Sequence, residues 1–304
     1  MRFFFRRYVV LAIFVLAMLG VGAVVFVNLP KQAPDTLPPP AAPVAQPSDP
    51  GPKYKVIGQS LEGRKIESYT YGTGEKQLVF VGGIHGGYEW NGVLLAYQFM
   101  DYLDEDADIL PEGLSVTVIP SLNPDGVYKV IGKEGRFVLA DAPSNKEVAS
   151  AGRFNARGVD LNRNFDCKWK PKSTWQAKIV SAGSGVFSEP EAKALRDFVL
   201  ENKPEAVIFW HSQSNAVYAS ECENGILPET LNIMNAYSLA SGYPAVTSFD
   251  SYEITGDAEG WLASIGIPAI TVELKTHATI EWERNLAGIK ALLSYYGGKT
   301  EVKP

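Results

Sequence analysis

The sequence has few of the residues that build several common kinds of site. Its 304 residues include three histidines and two cysteines. Two cysteines cannot form a disulfide framework, and the chain contains no CxxC pair. Any chemistry that uses imidazole must therefore draw on His85, His211 and His277.

Positive charge is scarce as well. The chain carries 28 Lys and Arg against 34 Asp and Glu, and from residue 54 onward the counts are 23 and 32. Binding to nucleic acid needs a basic face that displaces counterions, so the acidic body argues against such a partner. Hydrophobic residues make up 46% of the chain, which is ordinary for a globular protein and excludes wholesale disorder.

Residues 8–27 contain no charged side chain. A run of this length is enough for a helix of about 30 Å, the thickness of the bilayer hydrocarbon. Three arginines precede it and only Lys31 follows closely, so the N-terminus is expected in the cytoplasm. A cleaved signal peptide is the alternative, but its apolar core usually has about 7–15 residues. We expect residues 1–29 to be an uncleaved signal-anchor that crosses the cell membrane once, with the rest of the chain outside the cytoplasm. If this segment were instead a cleaved signal peptide, the domain would be secreted.

Nine prolines lie between residues 30 and 52. Such a segment cannot build a core and favours an extended, polyproline-like conformation. We therefore expect residues 30–53 to be a linker between the anchor and a folded domain at residues 54–304.

The folded domain alternates apolar strands with helical stretches. Strands are predicted at 77–82, 114–120, 206–210 and 269–273, and helices at 92–103, 190–201, 229–241 and 279–293. This alternation favours an α/β fold with a mixed, largely parallel twisted sheet flanked by helices. Residues 127–159 are interpreted as a long loop, and loops of that length are often functional. Residues 188–191 (SEPE) are typical of a helix capping box.

Polar side chains follow two of the predicted strands. His85 and Glu89 come after the first, and His211 directly follows another. Ligands bind at the carboxyl ends of strands in open α/β sheets. Each signal is weak alone, since a histidine in a turn is often only polar. Together they form a set of two imidazoles and one carboxylate that leaves a coordination position for water, as a catalytic zinc requires.

Two further clusters carry charge that such a site could use. Glu273 ends an apolar strand, where it could act as a general base, or as a salt-bridged edge residue. Residues 153–163 contain Arg153, Arg157, Asn162 and Arg163. Guanidinium is a preferred partner of carboxylates and can stabilise an oxyanion, although solvated surface charge is the alternative.

Several segments, taken in order, resemble the zinc metallocarboxypeptidases of the carboxypeptidase A/B type. The similarity covers nearly all of residues 54–298. It is carried by the segments GQSLEGRKI (58–66), GGIHGGYE (82–89), NPDG (123–126), GVDLNRNF (158–165), FSEPEA (187–192) and TVEL (271–274). GVDLNRNF is the most specific of them.

The resemblance implies a role for each matching residue. One zinc ion would be held by His85, Glu89 and His211, and Glu273 would be the general base. The remaining roles are oxyanion stabilisation by Arg153, binding of the substrate's terminal carboxylate by Asn162 and Arg163, and closure over the substrate by Tyr252. Glu259 falls near the position that floors the pocket for the terminal side chain, where an acid favours Lys, Arg or the amine of diaminopimelate. The alternative for Glu259 is an acid in the first turn of a helix that Asp257 caps.

The sequence also departs from the family pattern. The family's usual spacing is His-x-x-Glu, whereas His85 and Glu89 are separated by one residue more. Arg136 and Arg153 both remain candidates for the oxyanion. Cys167 and Cys222 follow two of the motifs and could form a disulfide, with two free buried thiols as the alternative. His277 could contact the site or be structural.

These observations predict a membrane-anchored zinc carboxypeptidase that acts on peptides with a free C-terminus. A zinc hydrolase of peptidoglycan stem peptides and a deacylase are alternatives within the same chemistry. A catalytically inactive binding module is the alternative from another class.

Overall fold

The computed structural model describes residues 51–143 and 145–298. Twelve strands lie within them: β1 Lys53–Gln59, β2 Lys65–Tyr71, β3 Lys76–Val81, β4 Leu114–Ile119, β5 Lys172–Trp175, β6 Lys178–Ser181, β7 Ala206–Ser212, β8 Ala216–Ala219, β9 Glu221–Cys222, β10 Gly225–Ile226, β11 Ala245–Val246 and β12 Ala269–Leu274. The α-helices of these residues are α1 Trp90–Glu105, α2 Pro124–Ile131, α3 Lys146–Ser150, α4 Pro190–Asn202, α5 Pro228–Ser241, α6 Ala258–Ser264 and α7 Trp282–Gly297. Short 3-10 helices cover Gly86–Glu89, Ala107–Ile109, Leu139–Asp141 and Leu161–Arg163.

Eight of the strands form one mixed sheet in the order β1-β2-β4-β3-β7-β12-β8-β11. The four central strands β4, β3, β7 and β12 are parallel to one another. Strands β1 and β2 pair antiparallel with their neighbours, whereas β8 pairs antiparallel with β12 and parallel with β11. The strand pairs β5–β6 and β9–β10 lie outside this sheet. The predicted mixed, largely parallel α/β fold is confirmed.

Two hydrophobic cores cover the two faces of the sheet. Alternate side chains of β7 enter different cores, because successive residues of a strand point to opposite faces. Trp210 packs with residues of α1, α5 and α7, whereas Phe209 packs with residues of α4 and α6. His211 therefore belongs to the face that α4 and α6 cover.

All four predicted strands and all four predicted helices are present, with shifted ends. The last helix begins at Trp282 instead of residue 279, because Glu281 has a φ of 47°, which is not helical. The interpretation of residues 127–159 as one long loop was wrong in part. Asn123 accepts a hydrogen bond from the backbone N–H of Gly126 and starts α2, and α3 follows later in the same segment.

The predicted capping box at residues 188–191 was also wrong. Helix α4 begins at Pro190 without a side-chain cap. The hydroxyl of Ser188 donates to Glu189, and the carboxylate of Glu191 accepts from the backbone N–H of Leu61, so neither side chain is available to the helix end.

The predicted signal-anchor at residues 1–29 and most of the linker lie outside the described residues. Within residues 51–143 and 145–298, no helix combines the length and the apolar character needed to cross a bilayer. Cys167 and Cys222 form a disulfide with a Cα–Cα distance of 6.0 Å, as one of the two sequence-based alternatives predicted.

Candidate active site

Three of the predicted site residues lie at the carboxyl ends of adjacent parallel strands. His85 follows β3, His211 lies near the end of β7 and Glu273 near the end of β12. Strands β3 and β12 flank β7 in the sheet, and Glu273 is the register partner of His211. Because parallel strands end at the same edge, the sheet brings these three side chains together.

The lengthened spacing between His85 and Glu89 is accommodated by a 3-10 turn at Gly86–Glu89. The turn brings Glu89 Oε1 to 2.8 Å from His85 Nδ1. Gly86 has a φ of 47°, and a Cβ there would meet the carbonyl oxygen of Gly152 at 2.5 Å. A Cβ on Gly87 would meet Val130 at 2.5 Å. The two glycines therefore let the longer segment fold tightly against α2.

His85, Glu89 and His211 form a buried cluster of possible metal ligands. The Nδ1 atoms of the two histidines lie 3.2 Å apart, and Glu89 Oε2 lies 2.9 Å from His211 Nδ1. Both imidazoles and the carboxylate thus present one atom each toward a common point. Imidazole nitrogen and carboxylate oxygen are zinc ligands, and three of them leave a fourth position open. The residues present therefore fit a single zinc ion.

The second nitrogen of each histidine faces a carboxylate. His85 Nε2 lies 3.5 Å from Asp160 Oδ1, and His211 Nε2 lies 3.0 Å from Glu259 Oε1. Metal-binding histidines characteristically donate their other N–H to such a group, which sets the orientation of the ring.

Negative charge accumulates around the cluster. Burial alone would raise the pKa of Glu89, but His85 and His211 hold it well below its usual range. Burial would likewise lower the pKa of His211, but Glu89 and Glu259 raise it. Burial and Glu89 raise the pKa of Glu273 to about 8. Carboxylates gathered in this way favour a bound cation.

Glu273 lies beside the cluster with one carboxyl oxygen unsatisfied. Its Oε2 is buried and has no hydrogen-bond partner among the residues that the structure describes. An unsatisfied buried oxygen is costly unless a ligand or water completes it. Glu273 also lines the cavity that contains the cluster.

Arg153 is the arginine that reaches the cluster. It is 2% exposed, its Nε donates to Asp160 at 3.0 Å, and its Nη1 lies 3.9 Å from Glu89. Its guanidinium also lies over the ring of Trp175. Arg136, the other candidate, pairs with Asp101 at the surface and does not line the cavity.

Asn162 and Arg163 enter the same cavity from the 3-10 turn at Leu161–Arg163. Asn162 Oδ1 accepts from the backbone N–H of Ala258. The guanidinium of Arg163 donates to the carbonyl oxygens of Thr174 and Asn162. Within the described part of the chain it forms no salt bridge, although it is only 2% exposed. Arg157, by contrast, pairs with Glu189 and lies outside the cavity.

The cavity has a volume of about 560 Å³. Tyr252 lines it and packs edge-on against Phe249 at 4.8 Å. Burial raises the pKa of the Tyr252 hydroxyl. Glu259 also lines the cavity, and Asp257 caps α6 by accepting from the backbone N–H of Gly260, as predicted.

Sequence reasoning missed several residues that support the site. Asp160 pairs with Arg153, and its Oδ1 lies 3.5 Å from His85 Nε2. Its place in GVDLNRNF, two residues before Asn162, could have pointed to it. Tyr88 and Trp175 pack edge-on and form part of the cavity wall. No signal in the sequence joins these two aromatic residues.

His277 lies behind the cavity wall. Its Nδ1 is 2.7 Å from the hydroxyl of Ser212, and its ring lies 4.5 Å from that of Tyr88. Ser212 in turn donates to Asn91. His277 does not line the cavity, so its contacts support the wall formed by Ser212 and Tyr88.

Several characterised proteins are similar in sequence. Gamma-D-glutamyl-L-diamino acid endopeptidase 1 of Lysinibacillus sphaericus is 28% identical over 72% of this chain. Carboxypeptidase B of Helicoverpa zea is 29% identical over 71%, and murein peptide amidase A of Escherichia coli is 29% identical over 50%. The alignments span 59%, 56% and 63% of the length of these relatives.

Solved structures show the same fold. Bovine thrombin-activatable fibrinolysis inhibitor aligns with a TM-score of 0.62 and 20% identity, covering 82% of this chain and 89% of that one. The murein-tripeptide amidase of Escherichia coli aligns with a TM-score of 0.57 and 20% identity, covering 84% and 94%. The family described as zinc carboxypeptidase matches residues 50–283. This chain therefore belongs to the zinc carboxypeptidase family.

Proposed function

We propose that this chain is a zinc-dependent carboxypeptidase that hydrolyses the last amide bond of peptides with a free C-terminus. The observation that carries the proposal is the buried, positively charged side chain of Arg163 at the cavity. Among the described residues, this buried guanidinium hydrogen-bonds to carbonyl oxygens and forms no salt bridge, so its charge is available to a ligand in the cavity. Guanidinium and carboxylate form strong, charge-assisted and often bidentate hydrogen bonds.

Zinc is the cofactor of the family, and the proposed ligands here are His85, Glu89 and His211. When bound, the ion would polarise the scissile carbonyl and activate water. Arg163 and Asn162 would hold the terminal carboxylate, which places the preceding amide near Glu273. Since all these groups line one cavity, a single substrate can contact them together.

Glu273 would act as the general base and then as the acid. Its buried oxygen would take a proton from the attacking water and deliver it to the leaving amine. Arg153 would stabilise the negative charge that develops on the carbonyl oxygen, because its Nη1 faces Glu89 and the metal cluster. Tyr252, at the cavity wall, would close over the bound substrate.

A second substrate class has its own support. Two relatives are named for action on murein peptides or on a γ-glutamyl bond to a diamino acid. A diamino acid at the end of a peptidoglycan stem peptide offers a carboxylate for Arg163 and an amine for an acidic cavity. We therefore include stem peptides with terminal diaminopimelate among the substrates to be tested.

We also propose, from the sequence of residues 1–53, that the enzyme is anchored in the cell membrane with its catalytic domain outside the cytoplasm. This proposal rests on the uncharged run at residues 8–27 and the proline-rich linker.

The test compares peptide pairs that differ only in a free or amidated C-terminus, with mass spectrometry of the products and with or without chelator. We expect chelator-sensitive loss of single terminal residues from the free peptides alone. Arg163→Met should lower kcat/KM about 30-fold or more, because losing a buried partner of a charged group costs about 2–5 kcal/mol.

Arg136→Met is the matched control, since Arg136 lies at the surface outside the cavity. It should leave the rate unchanged. Equal cleavage of free and amidated peptides would contradict the proposed role of Arg163.

A further inference from the structure

Glu259 is held against His211 by contacts from two directions. Its Oε1 lies 3.0 Å from His211 Nε2 and accepts a hydrogen bond from the hydroxyl of Thr271 at 3.1 Å. Glu259 lies in the first turn of α6 and Thr271 in β12, next to β7. Both His211 and Glu259 are buried, so solvent does not compete for this contact.

The two histidines of the cluster therefore have the same arrangement. Each directs Nδ1 toward Glu89 and Nε2 toward a carboxylate, Asp160 for His85 and Glu259 for His211. A carboxylate at Nε2 keeps the proton on that nitrogen and leaves the lone pair of Nδ1 for a metal. Of the two contacts, the one to Glu259 is the shorter.

We propose that Glu259 is a positioning residue that orients His211 as a zinc ligand, and that it is not the group that receives the substrate's terminal side chain. The inference rests on the proposed function, because it takes His211 as a ligand. The same oxygen already accepts two hydrogen bonds, so a substrate ammonium would have to compete with His211 and Thr271 for it.

Two hydrogen bonds hold the first turn of α6, and one of them comes from a residue proposed to bind the substrate. The backbone N–H of Ala258 donates to Asn162 Oδ1 at 2.8 Å, and Asp257 caps the helix. Asn162 is one of the two residues proposed to hold the terminal carboxylate. One turn of helix therefore connects the group that positions His211 with the group that holds the substrate.

The experiment measures zinc affinity by titrating the metal-free full chain with zinc against a competing chelator. We compare the wild type with Glu259→Gln and Glu259→Ala. Loss of such a partner typically weakens metal binding about 10–100-fold. We expect the alanine variant to show this loss and the glutamine variant an intermediate one, because a glutamine oxygen can still accept from Nε2.

Glu253→Gln is the matched control. It makes the same change of side chain, removes one negative charge from the wall of the same cavity, and affects an exposed carboxylate that pairs with Lys170. Its zinc affinity should equal that of the wild type. A loss as large as that of Glu259→Ala would show that cavity charge alone explains the effect and would overturn the inference.

Cleavage of peptides ending in Lys and in Leu separates the two roles of Glu259. A positioning role predicts that Glu259→Gln slows both substrates by the same factor. Unchanged zinc affinity with selective loss of the Lys substrate would instead identify Glu259 as the receptor for the terminal side chain. A wild-type chain that binds zinc but cleaves neither peptide would contradict the proposed function while leaving the affinity comparison valid.

A measurement on the wild type covers the case in which the variants do not fold. Nitrogen NMR of the zinc-loaded chain reports which nitrogen of His211 carries the proton. We expect protonation at Nε2. Protonation at Nδ1, or a chain that binds no zinc, would overturn the inference.

Discussion

Glu273 lies directly across from His211 in the parallel pairing of β12 with β7. Register partners in parallel strands project to the same face of a sheet, so the proposed general base stands beside a proposed zinc ligand. Backbone hydrogen bonds on both strands set this relationship.

The first prediction concerns Glu273→Gln. The amide has the same size but cannot take a proton, and general bases typically contribute about 10²–10⁴-fold to the rate. Turnover should fall by that factor while the zinc content of the purified chain stays the same. Glu283→Gln, on the exposed surface of α7, should behave as the wild type. A wild-type rate for Glu273→Gln would refute the mechanism.

The second prediction concerns the lengthened metal motif. Gly86→Ala should destabilise the fold more than Gly132→Ala. Both glycines have positive φ, at 47° and 75°, but a Cβ on Gly86 would meet the Gly152 carbonyl at 2.5 Å, whereas Gly132 has open space. The control should lose about 1 kcal/mol, the cost of a left-handed conformation for an L-residue. Urea unfolding and zinc affinity measure the difference, and equal losses would contradict the proposed tight packing of this turn.

The third prediction is a loss of stability in acid that depends on Asp160. Burial works against ionisation, but Arg153, His85 and Arg163 hold the pKa of Asp160 well below its usual range. A folded-state pKa below the unfolded value of about 3.9 contributes stability above that pH, and the contribution is lost as the pH falls.

Asp160→Asn should therefore lose stability at neutral pH and show a flatter pH dependence. The expected cost is about 3–5 kcal/mol, because Arg153 is left buried without its partner. Asp101→Asn breaks a surface pair and should change stability by less than about 0.5 kcal/mol. Denaturant unfolding at pH values of about 3, 5 and 7 checks both variants, because the unfolded carboxylate pKa of about 3.9 lies between the two lower values. Parallel pH curves for Asp160→Asn and the wild type would contradict the assignment.

The fourth prediction concerns the disulfide. It joins residues 55 positions apart, and a loop of that length corresponds to about 4 kcal/mol of chain entropy. The double variant Cys167→Ala and Cys222→Ala should unfold at lower denaturant concentration. Reductant should lower the midpoint of the wild type and leave that of the double variant unchanged. Equal midpoints for the two chains without reductant would show that the disulfide contributes no stability.

Much of the fold and part of the site could be read from local patterns. Apolar runs and their spacing predicted the central strands and the four main helices, because burial of strands and helix faces leaves a periodic signature. Residues 127–159 were misread because α2 is short and begins at NPDG, a segment interpreted as a motif instead of a helix start. The signal-anchor and linker remain predictions from the sequence.

The order of residues along the chain places two histidines and a glutamate after apolar strands, and the ends of parallel strands meet at one edge of a sheet. It could not determine which side chains meet across the chain. Three contacts are visible only in the folded chain. Arg153 and not Arg136 reaches the cluster, Cys167 pairs with Cys222, and Glu259 contacts His211. These contacts join residues from separate elements, and their distances depend on how helices and loops pack against the sheet, which no local pattern encodes.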